Sequence, residues 1–325
     1  MKNYTVKRYQ EKDYATWNTF IGQAKNATFL FHRDFMDYHK DRFEDYSLMV
    51  FENEKLVAVL PANKDGEVVY SHQGLTYGGL VLLPKSKLYH TIFIFKAILE
   101  YLNEKRISKL VLKQIPSIYC DYLSDEINYL MHICKGKAIM KHNISVISLN
   151  NDLVFSKSRR ECINKGKKQN LIIKEESNLE TFWNDLLMPN LRDKYNAKPV
   201  HSLEEIMFLK SKFPSDIRHF NVYSNEKLVG GTTLFITKRV AKPQYIAGSD
   251  ENNFLGSIDF LYDFLIKEIA RGKVFFDFGP SHENNGLEIV GKINFWKESF
   301  GAHSLVQDFY EVETANYYLL DTVLI

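Results

Sequence analysis

Leu48-Met49-Val50-Phe51-Glu52-Asn53-Glu54-Lys55-Leu56-Val57-Ala58-Val59-Leu60 and Phe220-Asn221-Val222-Tyr223-Ser224-Asn225-Glu226-Lys227-Leu228-Val229-Gly230-Gly231-Thr232-Thr233-Leu234-Phe235 share the pentapeptide Asn-Glu-Lys-Leu-Val. In both stretches an apolar run leads into a polar pair and a second apolar run leaves it. That pattern predicts a strand, a polar turn and a strand: a β-hairpin. Five matching residues can arise by chance, but the order of elements downstream of each copy argues for an internal duplication. After the first copy come a strand at Val68–Ser71, a helix from Ser86 to Lys105 and a strand at Lys109–Gln114. After the second come a strand at Gln244–Ala247, a helix from Ser257 to Arg271 and a strand at Lys273–Phe278. Strand, helix and strand in that order imply a right-handed parallel crossover. A hairpin plus such a crossover gives a mixed sheet with helices packed on it. The expected fold class is therefore α/β, in two tandem domains, 1–150 and 151–325. The turn-rich Asn150-Asn151-Asp152 marks the expected junction.

The helix of the second copy is the better defined. Ile258, Leu261, Tyr262, Leu265, Ile266 and Ile269 fall on one face at helical spacing. Ser257 suits its start and Gly272 its end. Just after the junction, Ser158-Arg159-Arg160-Glu161 fits the Ser-x-x-Glu capping box and predicts another helix start.

The chain has 325 residues, which suits two domains of about 100–200 residues each. With 45% hydrophobic and 25% charged residues it reads as globular, and 23 Phe and 19 Tyr can fill two cores. The formal net charge of +2 excludes a global field for nucleic acid or acidic membranes, so anion binding must come from local clusters. Cys120, Cys134 and Cys162 are odd in number and contain no Cys-x-x-Cys pair. They predict small buried hydrophobes in a reducing compartment, with no disulfide framework and no metal site. Met1-Lys2-Asn3-Tyr4-Thr5-Val6-Lys7-Arg8 lacks the apolar core of a signal peptide. The most lipid-like stretch, Thr91–Leu102, falls short of the roughly 20 apolar residues of a membrane span. A cytoplasmic location is expected.

Five stretches carry candidate chemistry. Between Lys157 and Lys168 lie six basic residues and one acid, Glu161. Arg159 and Arg160 sit in the first helical turn, where the macrodipole disfavours cations. A bound phosphate or carboxylate would remove that conflict; a solvated basic face is the alternative. In Tyr245–Ile258, Gly248, Ser249, Asn253, Gly256 and Ser257 surround a strand-to-helix loop whose backbone N–H groups can approach a diphosphate, with Asp250 and Glu251 as poor neighbours for one. In Phe275-Phe276-Asp277-Phe278-Gly279-Pro280-Ser281, Asp277 lies near the end of a strand in a parallel sheet, where ligands bind. It suits a general base or a buried partner of a backbone amide. In Asn294-Phe295-Trp296-Lys297-Glu298-Ser299-Phe300-Gly301, a lysine in an apolar run must reach solvent or meet an anion. Tyr70–Gly79 brings three glycines together with His72, Gln73 and Tyr77, and Lys194–Ser202 holds Tyr195 and His201. His201 suits either a proton acceptor or a cap of the helix starting near Ser202. There is no Gly-x-Ser-x-Gly, Walker loop, Gly-x-Gly-x-x-Gly or His-Glu-x-x-His.

Asn253-Phe254-Leu255-Gly256-Ser257-Ile258 resembles the acyl-CoA loop of the GNAT superfamily, Arg/Gln-x-x-Gly-x-Gly/Ala, and departs from it at Asn253 and Ile258. The strand end at Asp277-Phe278-Gly279 and the later Phe295-Trp296-Lys297-Glu298-Ser299-Phe300-Gly301 together resemble the C-terminal signature of FemAB-like proteins. Tyr70–Gly79 and the Tyr-x-x-x-Pro-x-His pattern of Tyr195–His201 are similar to stretches of the same family. The resemblance covers nearly the whole chain and rests more on element order and the tail than on any strict motif. It implies two tandem GNAT-like domains, each with a mixed, mostly antiparallel sheet. It implies attack of a primary amine on an activated acyl group, with acyl-CoA or aminoacyl-tRNA as donor. The implied acceptor is an amino sugar, a nucleotide-linked sugar or another bacterial envelope precursor. Asp277, His201 and Lys297 would be catalytic, the first two as candidate bases and Lys297 as a cation clamping an anion near substrate phosphate or the reacting carbonyl. His72, Gln73, Tyr77, Arg159, Arg160, Tyr195 and Tyr245 would hold substrate, and the Gly248–Ser257 loop would hold acyl-CoA.

Overall fold

The structure, a computed structural model, describes residues 3–324. In chain order the first elements are β1 (Tyr4–Arg8), α1 (Tyr14–Gln23), α2 (Arg33–Met36), β2 (Glu44–Asp45), β3 (Leu48–Glu52), β4 (Lys55–Leu60), β5 (Asn63–Asp65), β6 (Val68–Tyr70), β7 (Val81–Leu82), α3 (Leu88–Glu104), β8 (Lys109–Lys113), α4 (Glu126–Ile133) and β9 (Lys137–Ser148). Then come α5 (Lys157–Lys168), β10 (Ile172–Glu175), a π-helix at Phe182–Leu187, α6 (Met188–Tyr195), α7 (Leu203–Lys212), β11 (Ile217–Ser224), β12 (Lys227–Ile236) and β13 (Val240–Gly248). The chain ends with α8 (Asn252–Leu255), α9 (Ser257–Phe264), a π-helical continuation at Leu265–Ile269, β14 (Phe275–Pro280), β15 (His282–Glu283), β16 (Glu288–Ile289), α10 (Gly291–Glu298) and β17 (His303–Glu313).

Two compact units emerge: 1–142 together with 306–325, and 143–305. The division at His142–Asn143 falls inside β9, and β17 carries the chain back to the first unit. A strand carries no linker composition, so the turn at Asn150–Asp152 attracted the expected junction although the chain passes between units eight residues or so before it. The basic helix also begins earlier than its sequence suggests. Ser156 caps it by accepting from Arg159 N, so Ser158 and Glu161 do not form the capping box.

The duplication is visible in backbone detail. Asn53 and Glu54 have φ of 45° and 67°, and Asn225 and Glu226 have the same two values. Both hairpins thus turn through two left-handed residues, the conformation whose twist matches that of paired strands. Each also carries a register shift at the same place, between Val50 and Phe51 in one and between Val222 and Tyr223 in the other. In the first unit β6 pairs with β8 in parallel, Val68 opposite Lys109. In the second β13 pairs with β14 in parallel, Val240 opposite Phe275. The copies differ in the strands between. β12 and β13 run unbroken, whereas the first unit splits the same path into β4 with β5 and β6 with β7. The stretch His72–Gly79 fills the second of these breaks.

Each unit has its own core. In the first, Ile92, Phe95, Ile98 and Leu99 of α3 pack against Leu48, Val50 and other strand residues. In the second, Leu261, Tyr262, Leu265 and Ile266 pack against Phe220, Val222 and Phe276. Leu261, Tyr262, Leu265 and Ile266 are among the positions whose helical spacing was legible in the sequence. Among the described residues no helix is long and apolar enough to cross a membrane.

Buried histidines mark the first unit. His39 and His72 stack with ring centroids 4.9 Å apart, and His72 has a left-handed φ of 75°. Burial brings His39 down to about 4 and His72 to about 3 from the ordinary 6.5. The unfolded chain therefore takes up protons first, and stability is lost as pH falls from 6.5 towards 4. His39→Phe, which keeps a ring against His72, is expected to reduce that loss, read from urea midpoints at pH 7 and pH 4.5. At the two turns, glycine relieves a side chain held at positive φ. Glu54→Gly and Glu226→Gly are each expected to stabilise by about 0.5–1 kcal/mol in denaturant titrations.

Candidate functional site

The second unit presents a greasy sheet face and a polar one. Phe276 and Phe278 point to α9 and pack on Tyr262 at ring distances of 6.0 and 5.7 Å. Strand alternation sends Asp277, between them, to the opposite face. There Asp277 meets Lys242 of β13, with Nζ and Oδ2 3.6 Å apart. Cross-strand register adds the rest of this face. Lys242 lies opposite Phe235, and Tyr245 opposite Thr233, with a bulge between that keeps both side chains on one side. His219, opposite Thr233, extends the row.

β13 and β14 separate at this point. Among the described residues their pairing is confined to Val240 with Phe275 and Ala241 with Phe276, while β14 runs on beside β9 with a register shift between Asp277 and Pro280. The side chains take up the backbone groups near the break. Asp277 Oδ1 accepts from Gly279 N at 2.6 Å. Lys297 Nζ, brought in by α10, donates to the carbonyls of Gly279 at 2.9 Å and Pro280 at 2.6 Å. Gly279 has φ of 74°, and a Cβ there would stand 2.7 Å from Lys242 Nζ, so a side chain would expel the ammonium. Lys242, Asp277 and Lys297 are 8%, 2% and 5% exposed. Desolvation, then repulsion from Lys242, bring Lys297 down to about 7, against the pull of Asp277.

Asp277 therefore fills the amide-partner role that the sequence left open beside that of base. Lys242 was not anticipated. A lysine set between Val240-Ala241 and Pro243, just ahead of the strand expected at Gln244–Ala247, was the available signal, since proline beside a strand marks a bulge or an edge.

A second pair joins on the same face. His201 N donates to the Tyr245 hydroxyl at 3.2 Å, and the same hydroxyl bonds His201 Nδ1. His201 is not the helix cap: Ser202 takes that role with Glu205 in a capping box. Trp183 lies against Tyr245 and Phe182 against His219, at 4.8 and 4.7 Å between ring centroids.

Other expected residues have different work. The conflict between Arg159 and the helix dipole is resolved internally. Its guanidinium pairs with Asp259, donates to Ser299 Oγ at 2.8 Å and lies 4.9 Å from the Phe300 ring. A buried, neutralised arginine is not available as the expected anion clamp, and Arg160 is exposed one position along. Gly256 has φ of 67° and makes room for α5: a Cβ there would come within 2.5 Å of the Cys162 carbonyl. Ser257 is fully buried and bonds Val229 O and Asn252 Oδ1, while Asn252 Oδ1 also accepts from Ile258 N. Helix packing and a local cap thus consume the groups expected to cradle a diphosphate. Asn253 is exposed. Gly248 and Ser249 line a cavity of about 690 Å³ with five carboxylates, Asp185, Asp193, Glu226, Asp250 and Glu251, against two lysines, Lys194 and Lys227. Carboxylates in that number disfavour a diphosphate, and the cavity sits at the opposite end of β13 from Lys242.

His72, Gln73 and Tyr77 belong to the first unit. The Gln73 side chain accepts from Asn63 at 2.7 Å, and the buried Tyr77 hydroxyl bonds Thr28 at 3.0 Å. Tyr195 ends α6, and its side chain lies outside the described residues. Removing one partner of a buried ion pair strands the other. Asp259→Ala is accordingly expected to destabilise by about 3 kcal/mol in thermal unfolding, and Arg159→Met in the same chain to recover part of it.

No family model and no curated protein matches this sequence. Solved structures do. FemX superposes with a TM-score of 0.67 at 10% identity, over 97% of this chain and 99% of that one. A conserved protein of unknown function from Bacteroides thetaiotaomicron gives 0.60 at 10% identity, over 95% and 98%. L-PGS from Bacillus licheniformis gives 0.57 at 11% identity, over 97% and 96%. Together with the duplicated hairpin and crossover, these likenesses show that the chain shares the fold of FemX, built here from two similar units.

Proposed function

We propose that this protein is an acyltransferase that moves an acyl group onto a primary amine. The observation that carries the reading is the parting of β13 from β14 with Lys242, Asp277 and Lys297 gathered beside it. Acyl transfer to an amine needs a group that accepts the ammonium proton and donors that stabilise the tetrahedral oxyanion. Two buried lysines and a histidine–tyrosine pair on one sheet face offer both. Acyl-CoA is the first donor to test, with an amino sugar or another envelope precursor, free or nucleotide-linked, as acceptor.

A specific observation favours a second donor. The carboxylates beside Gly248 and Ser249, and the packed surroundings of Gly256 and Ser257, suit a CoA diphosphate poorly. The resemblance of the tail to FemAB-like proteins implies the same alternative, aminoacyl-tRNA and a wall precursor. Isothermal titration with acetyl-CoA separates the two: heat of binding supports acyl-CoA, and its absence together with transfer from aminoacyl-tRNA supports the other. Absence of transfer from both donors to any amine supplied would overturn the proposal. With whichever donor works, Lys297→Ala is expected to lower kcat by at least 100-fold, measured by radiolabelled acyl transfer.

A further inference from the structure

We propose that Lys297 is the general base of the reaction, and that Lys242 is the positioning residue that keeps its amine unprotonated. The inference rests on the acyl-transfer reading and deepens it.

Lys297 is buried, yet both its hydrogen-bond partners are neutral carbonyls, those of Gly279 and Pro280. Among the described residues no carboxylate lies within 4.0 Å of its Nζ; Asp277 is ion-paired instead with Lys242, at 3.6 Å, and bonds Gly279 N. A buried ammonium without an ion-pair partner is costly, and the cost is removed by losing the proton. The charged or titratable groups that face Lys297 are Lys242 from β13, Asp277 from β14 and His282 from β15. One carboxylate shared by two lysines cannot neutralise both, so one is favoured in its neutral form. Lys242 holds the shorter claim on Asp277, which leaves Lys297 as the neutral one.

The geometry then assigns the lone pair. A neutral amine has two N–H bonds, and the two carbonyls engage both. The remaining tetrahedral position on Nζ carries the lone pair, held in a fixed direction by those two bonds. The acceptor ammonium gives one proton to this lone pair, and the freed amine attacks the acyl carbon. As the C–N bond forms and the bond to the thiol sulfur or ribose oxygen breaks, the second proton of the attacking nitrogen leaves with the departing group. Lys297 returns its proton to water, so one proton is released for each acyl group moved.

The role of a cation near the reacting carbonyl makes the opposite demand, since it needs Lys297 charged. The whole protein, labelled with lysine carrying ¹³C at Cε, is titrated by NMR, and the Lys297 signal is assigned by its absence in Lys297→Arg. The expected midpoint is near 7, moving up by about one unit in Lys242→Met, with the acid limb of the transfer rate moving by the same amount. A Lys297 midpoint of 9 or above overturns the proposal without touching the acyl-transfer reading. So does a Lys297→Arg variant that retains full transfer, because arginine can supply charge but cannot accept a proton. A midpoint near 7 in a protein that transfers from neither donor overturns the acyl-transfer reading, and the base role with it.

Discussion

Backbone polar groups that lose their ladder partners must find others, and in this protein that constraint acts where β13 leaves β14. Past Ala241 and Phe276 the two strands no longer pair, and the groups around Gly279 turn to side chains. The Gly279 amide goes to Asp277, and the carbonyls of Gly279 and Pro280 go to Lys297. Satisfying the backbone thereby draws a carboxylate and a lysine into a place where neither would otherwise be buried. Lys242 joins them, because it is the next residue of β13 on that face. The candidate chemistry is a by-product of closing hydrogen bonds at a split sheet.

The same unit shows how glycines can serve packing where a motif suggests ligand binding. Gly256 and Gly166 let α5 and α9 approach closely: a Cβ on Gly166 would meet Phe260 at 2.5 Å, and one on Gly256 would meet the Cys162 carbonyl. Asp259, one turn into α9, then reaches Arg159 of α5 and Trp296 of α10. A basic helix start and a glycine loop, read separately as two anion sites, turn out to be two sides of one helix contact. The opposing charge comes from the protein itself.

Buried polar groups extend the pattern across the sheet. His219 bonds Thr233 Oγ1 and Asn221 Oδ1, each at 3.0 Å, and Asn221 passes on to Glu176 at 2.6 Å. Burial lowers His219 to about 4, so it is neutral under ordinary conditions and can donate through one nitrogen and accept through the other. Such a row fixes the β11–β12 register on the face that carries Tyr245 and Lys242, because a one-residue slip would bury every one of these groups unpaired.

The sequence by itself determined the hairpins, the crossovers and the duplication. Those depend on local pattern: a polar pair between apolar runs, helical spacing from Ile258 to Ile269, and the repeat of one pentapeptide. It also picked out Asp277, Lys297, His201 and Tyr245 as residue types with chemistry to offer. Only the tertiary structure decided which of them meet. Lys242, Asp277 and Lys297 come from three elements separated in the chain, and Arg159 finds Asp259 a hundred residues or so away. Spacing along a chain carries no record of such distances, because a charge is retained in the interior by whatever partner the fold delivers and not by its neighbours in sequence.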